Sequence, residues 1–130
     1  MEKSRPVRAT GAVGMLALGL GLAGCDGTPP VTCTAEARSS LNVTVIDAVT
    51  GRRLCDAAVA ATEGSYNATL MPGGSPGSCS YFGPFERPGT YLVVASHAGY
   101  LTGHEGDAVV TRDACHVQTT SVTVQLQPSP

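Results

Sequence analysis

The stretch Gly89–Tyr100, G-T-Y-L-V-V-A-S-H-A-G-Y, decides how the fold is read. Tyr91 to Ser96 is an unbroken run of β-favouring, apolar or small residues, opened by Gly89 and closed by Gly99. In an extended chain side chains alternate, so Tyr91, Val93 and Ala95 share one face and Leu92 and Val94 the other. Both faces are apolar, which predicts a central strand covered on both sides, with Tyr91, Leu92 and Val93 buried. No other run beyond the first 24 residues is as continuously apolar. The rest of the domain is expected to pack around it.

Working outward, six more segments carry strand signals. Leu41–Val45 alternates apolar and polar residues, as a half-buried strand does. Asp47-Ala48-Val49-Thr50-Gly51 is turn material. Ala57–Thr62 places Ala57, Val59 and Ala61 on one face, and Glu63-Gly64-Ser65 turns the chain into Tyr66–Leu70. Pro72–Ser78 reads as a flexible loop. Ser80–Phe85 is a short strand, Ala108–Arg112 another, and Val117–Gln127 the last, with Val122, Val124 and Leu126 inward. With Tyr91–His97 these make seven strands and no helical period. The expected class is all-β, a seven-stranded antiparallel sandwich.

Length and composition agree. The 130 residues fit one domain, with only four Tyr, two Phe and no Trp. Many candidate core residues are Ala or Val, and a domain this small buries a limited core. Some further source of stability is therefore expected. Residues 25–130 hold five arginines, nine acids and no lysine, a net charge of about −4 with neutral histidines. That balance argues against a nucleic-acid partner, which needs basic patches to neutralise phosphate.

The N-terminus reads as an export and anchoring device. Lys3, Arg5 and Arg8 precede an apolar, glycine-rich run from Ala9 to Leu22, too short for a standard membrane span. It ends in Leu22-Ala23-Gly24-Cys25, which resembles the bacterial lipobox. Residues 1–24 are then a lipoprotein signal peptide. The thiol of Cys25 would take a diacylglycerol, and several acyl chains hold a membrane more firmly than one. The n-region has no twin-arginine pair, which points to general secretion. Asp26 follows Cys25; resemblance to enteric lipoproteins would make it an inner-membrane retention signal, a rule that does not extend to all bacteria. Residues 25–32 form the lipidated cysteine and tether. Seven residues, Asp26 to Thr32, span at most about 25 Å, and Pro29-Pro30 stiffen them. The domain, residues 33–130, is expected close to its membrane.

The run V-x-V-I-D-A-x-T-G-x-x-L-x-x-A-x-V, Val43 to Val59, followed by G-T-Y-x-V-x-A-x-x-A-G-Y, Gly89 to Tyr100, resembles the carboxypeptidase regulatory-like domain. The resemblance covers Ser40 to Leu126. Glu86-Arg87-Pro88-Gly89-Thr90-Tyr91 and Cys115-His116-Val117 also resemble stretches of bacterial lipoproteins carrying this domain. It implies a transthyretin-like Greek-key sandwich and a non-enzymatic binding or structural role. One hydrolase of the wider superfamily, hydroxyisourate hydrolase, ends in Tyr-Arg-Gly-Ser. This sequence ends in Gln-Pro-Ser-Pro, which counts against that activity. A related adhesin repeat locks itself with a Lys–Asn isopeptide bond, which residues 25–130 lack the lysine to form.

With Cys25 assigned to lipid, Cys33, Cys55, Cys79 and Cys115 remain. An even number in a small exported domain reads as two disulfides with three possible connectivities. Gaps of 22, 24 and 36 residues contain no C-x-x-C knuckle, which argues against zinc. In the Greek key that the resemblance implies, the first and last strands lie side by side and parallel. Cys33 and Cys115 then share one end, while Cys55 and Cys79 flank the flexible loop. The expected pairs are Cys33 with Cys115 and Cys55 with Cys79.

No residue pattern carries catalysis, a metal or a cofactor. His104-Glu105-Gly106-Asp107 lacks the spacing of a metal motif and reads as a solvated loop. His97 and His116 read as polar residues at strand ends. There is no G-x-S-x-G elbow. Asn42-Val43-Thr44 and Asn67-Ala68-Thr69 match the glycosylation sequon but read more simply as outward strand residues. The expectation is a lipid-anchored module of the cell envelope, partnered by a membrane through Cys25 and by an envelope protein or glycan. The alternative from another class is a small hydrolase or metal-dependent enzyme using His97, His104 or His116. A third reading gives the Met71–Ser80 loop a peptide or carbohydrate ligand.

Overall fold

The computed structural model describes residues 31–130. The expected signal peptide, Cys25 and nearly all of the tether lie outside them. The described part is all-β, in two sheets. Its strands are β1 (Ser39–Asp47), β2 (Ala58–Glu63), β3 (Tyr66–Thr69), β4 (Met71–Gly73), β5 (Ser80–Phe85), β6 (Gly89–Ser96), β7 (Gly103–Arg112), β8 (Val117–Gln118) and β9 (Thr120–Leu126). One sheet runs β4-β5-β1-β9 and the other β3-β2-β6-β7-β8. Every pairing is antiparallel except β1 with β9, which run parallel with Val43 opposite Val122 and Val45 opposite Val124.

The alternation in β1 sorts its side chains as the period of two requires. Leu41, Val43 and Val45 are fully buried, while Asn42 and Thr44 are half-buried. They meet Tyr81 of β5, Val59 and Ala61 of β2, Tyr91, Val93 and Ala95 of β6, and Val124 and Leu126 of β9 in one core. Tyr91 sits near the start of β6 and donates its hydroxyl to the carbonyl of Arg87, four residues upstream. A buried phenol needs such a partner. The Arg87 guanidinium lies 3.6 Å over the Tyr66 ring and donates to Glu63. Glu63 in turn accepts from the N–H of Thr90 and presses on Gly89, where a Cβ would lie 2.7 Å from its carboxylate oxygens. Glycine at 89 lets that carboxylate reach the backbone.

Five expectations need correction. There are nine strands rather than seven. Part of the presumed loop, Met71–Gly73, pairs with β5; Pro72 is accommodated because β4 is an edge strand, where a missing N–H goes unnoticed. The expected last strand is broken at Thr119, since its two halves belong to different sheets. The strand expected to begin at Ala108 begins at Gly103, so His104, Glu105 and Asp107 stand on a strand and not in a loop. Finally, β6 is covered on one face only: Tyr91 and Val93 are buried, but Leu92 is 40% exposed. In a two-layer sandwich the far face of even a central strand meets solvent.

Candidate functional site

The candidate site lies where the two sheets part. β8 and β9 are separated by Thr119 alone. β8 pairs with β7 through Thr111–Gln118 and Arg112–Val117, whereas β9 pairs with β1. From Thr120 onward the chain thus leaves β7 for the other sheet. The Thr120 hydroxyl donates to the carbonyl of Val109 at 2.6 Å, the last tie between them. Beyond it opens a groove of about 360 Å³, with Glu105, Asp107 and Val109 on one wall and Ser121, Val122 and Thr123 on the other. β7 and β9 meet again at Gly103, where a Cβ would lie 2.7 Å from the carbonyl oxygen of Gln125. Glycine at 103 permits that approach.

A bulge shapes the first wall. Tyr91 pairs with Ala108 but Val93 pairs with Glu105, so Leu92 stands opposite both Gly106 and Asp107. Asp107 adopts φ +58°, a conformation aspartate tolerates better than most residues. The extra residue bends β7. Glu105 and Asp107 are exposed, and among the described residues neither forms an ion pair.

The three histidines go to different places. His116 is buried beside the Cys33–Cys115 disulfide. Its Nδ1 faces Oε2 of Glu86 at 2.5 Å and its Nε2 faces the Thr34 hydroxyl at 2.8 Å. Glu86 also accepts from the N–H groups of Arg38 and Val117. The His116 bond, with these two, holds its carboxyl below the usual glutamate range. An ionised carboxylate only accepts, so Nδ1 of His116 carries the proton between them. His97 bridges the carbonyls of Cys55 and Ala98. His104 is exposed on β7. Among the described residues no three His, Cys, Asp or Glu side chains gather as metal ligands would.

No protein-family model and no curated protein matches the chain.

The four described cysteines form two bonded pairs, Cys33–Cys115 and Cys55–Cys79. Disulfides of this kind mark an oxidising, extracytoplasmic compartment. The Met71–Ser80 loop is tied down more than its Gly and Pro content suggests. Besides β4, the Arg53 guanidinium donates to the Ser78 carbonyl at its far end. The sequence reading missed the β7–β9 groove. Its signals were the bulge-prone Glu105-Gly106-Asp107 and the uncharged, hydroxyl-rich Thr119–Thr123, neither of which is a motif.

Proposed function

We propose that the chain is an exported lipoprotein whose transthyretin-like Greek-key sandwich serves as a binding or structural module of the cell envelope, without catalysis. The observation that carries this reading is the pairing of two disulfides in an all-β domain that follows a lipobox-like segment ending at Cys25. Lipidation and disulfide formation both belong to exported proteins. The Greek key and the carboxypeptidase regulatory-like kinship are supported by the parallel β1–β9 pair and by the contact of the two motif segments through Asp47 and Tyr100. A binding role is favoured over the hydrolase alternative because His97 and His116 are committed to separate structural networks. The partners are a membrane, through the lipid on Cys25, and an envelope protein or glycan.

Metabolic labelling with palmitate in a bacterial host tests the anchor. The wild-type chain should take label and fractionate with membranes. Cys25→Ser should lose the label and accumulate as uncleaved precursor. Unchanged labelling and processing of that variant would overturn the lipoprotein reading.

A further inference from the structure

The peptide groups of β9 sort by the side they face. The carbonyl of Leu126 accepts from the N–H of Ala48, just beyond β1, so Leu126 faces that strand. By the period of two, Val124 and Val122 face it too. The carbonyl of Gln127 instead accepts from Leu101, and that of Gln125 lies against Gly103. Ser121 and Thr123 share their parity and turn their N–H and C=O groups into the groove. Among the described strands β9 pairs with β1 alone. Residues 120–126, T-S-V-T-V-Q-L, hold no charge and no proline, the usual protections of an edge strand.

The geometry points to a binding site for an extended, lysine- or arginine-bearing peptide segment of another protein, added to β9 as a further strand. Unpaired N–H and C=O groups on alternate residues are met by another extended backbone. The opposite wall selects charge, because Glu105 and Asp107 are exposed carboxylates that form no ion pair among the described residues. A groove of about 360 Å³ sits near the lower end of the roughly 300–1,000 Å³ of ligand sites, enough for a few residues of one strand. A second copy of this chain fits poorly: pairing β9 with β9 brings the Glu105 and Asp107 of each copy to the shared edge, and β9 itself carries no cation to answer them. The inference rests on the binding half of the proposed function and names its site and ligand class.

The test uses the exported full chain with both disulfides intact. The probe is a fluorescein-labelled peptide of four valine–lysine repeats, with a valine–glutamate peptide as control. The lysine peptide should give a saturable rise in anisotropy and slow amide hydrogen exchange at Ser121 and Thr123. The Glu105→Gln, Asp107→Asn double variant should weaken binding by about tenfold. Thr123→Pro should abolish it, since it removes an N–H that faces the groove and not β1. Circular dichroism establishes that this variant is folded; if it is not, the double variant and the exchange data still decide. Absence of binding, equal binding of the glutamate peptide, or binding without protection of Ser121 and Thr123 would overturn the site. So would a dimer in sedimentation that protects the same amides in the absence of peptide. Failure of the anchor is read separately, as loss of palmitate label, and leaves this result standing.

Discussion

The hydroxyl of Tyr100 donates to Oδ2 of Asp47 at 2.7 Å, joining residues 53 apart in sequence. Asp47 ends β1 and Tyr100 lies in the connection from β6 to β7, so the bond ties one sheet to the other. The other carboxylate oxygen accepts from the N–H groups of Val49 and Thr50 and shapes the turn that Gly51 completes at φ +76°. The Thr50 N–H foremost, then the Tyr100 hydroxyl and the Val49 N–H, hold the Asp47 carboxyl below the usual aspartate range. Donors aimed at a carboxylate favour its charged form.

Tyr100→Phe should lower the thermal midpoint by several degrees, and Asp47→Ala by more, because the second change frees three donors at once. The double variant should melt close to Asp47→Ala, since its first loss already includes the hydroxyl's partner. Strictly additive shifts in a double-mutant cycle would show that the two side chains are not coupled.

Neighbouring residues of β6 should respond unequally to truncation. Val93 is fully buried, so Val93→Ala should cost about 1–3 kcal/mol through lost burial and residual cavity. Leu92 is 40% exposed on the outer face, so Leu92→Ala should stay within about 0.5 kcal/mol, as surface substitutions do. Urea denaturation of both variants checks the pair. Equal losses would mean that the outer face of this sheet is covered in solution.

What could be read from the chain follows from where the information lies. Alternation is local, so the inward residues of β1 and β9 were legible, as was the Tyr91–Val93–Ala95 face. Leu92 misled because an apolar run looks the same whether its second face meets a third layer or water. Met71–Gly73 hid as a strand because Pro72 and Gly73 read as breakers, and only their position at a sheet edge beside Phe82 makes pairing possible. The break at Thr119 and the β7 bulge depend on which sheet each neighbour joins, which no local pattern contains. The groove, made by both, was invisible for that reason. Burial of His116 was likewise missed, because its partners Thr34 and Glu86 are 82 and 30 residues away.

Stability should fall in acid. Asp47, Glu63, Glu86 and Asp113 all have pKa values lowered from ordinary ones of 3.8 and 4.5. For Glu63 the leading cause is the Thr90 N–H, and for Asp113 the N–H of His116. A carboxyl with a depressed folded pKa binds protons more readily in the unfolded chain. Its contribution is therefore fully present above the ordinary value and is lost as the pH drops through the lowered one. Urea midpoints should be level in this respect from neutrality down to about pH 5 and decline below about pH 4. Glu86→Gln should show a shallower decline than wild type. A midpoint that rises on acidification would contradict the assignment.

Reduction should destabilise or unfold the domain, and the two bridges should fail differently. Their sequence separations of 82 and 24 correspond to roughly 4.5 and 3.5 kcal/mol, taken singly, in the chain-entropy argument. Cys55 to Cys79 lies inside the loop from Cys33 to Cys115, so the two contributions do not simply add. Either is a large part of the ~5–15 kcal/mol typical of a whole domain. Cys33→Ser with Cys115→Ser also releases the segment that brings Thr34 to His116, so exchange should quicken around Glu86 and β8. Cys55→Ser with Cys79→Ser removes the covalent link and leaves the two ends to the His97 and Arg53 hydrogen bonds at the Cys55 and Ser78 carbonyls, so exchange should quicken at β4 and the start of β2. Peptide mapping of the unreduced protein comes first. It should yield Cys33–Cys115 and Cys55–Cys79 peptides; a Cys33–Cys55 or Cys79–Cys115 peptide would overturn the pairing, and four free thiols would remove the case for an oxidising compartment.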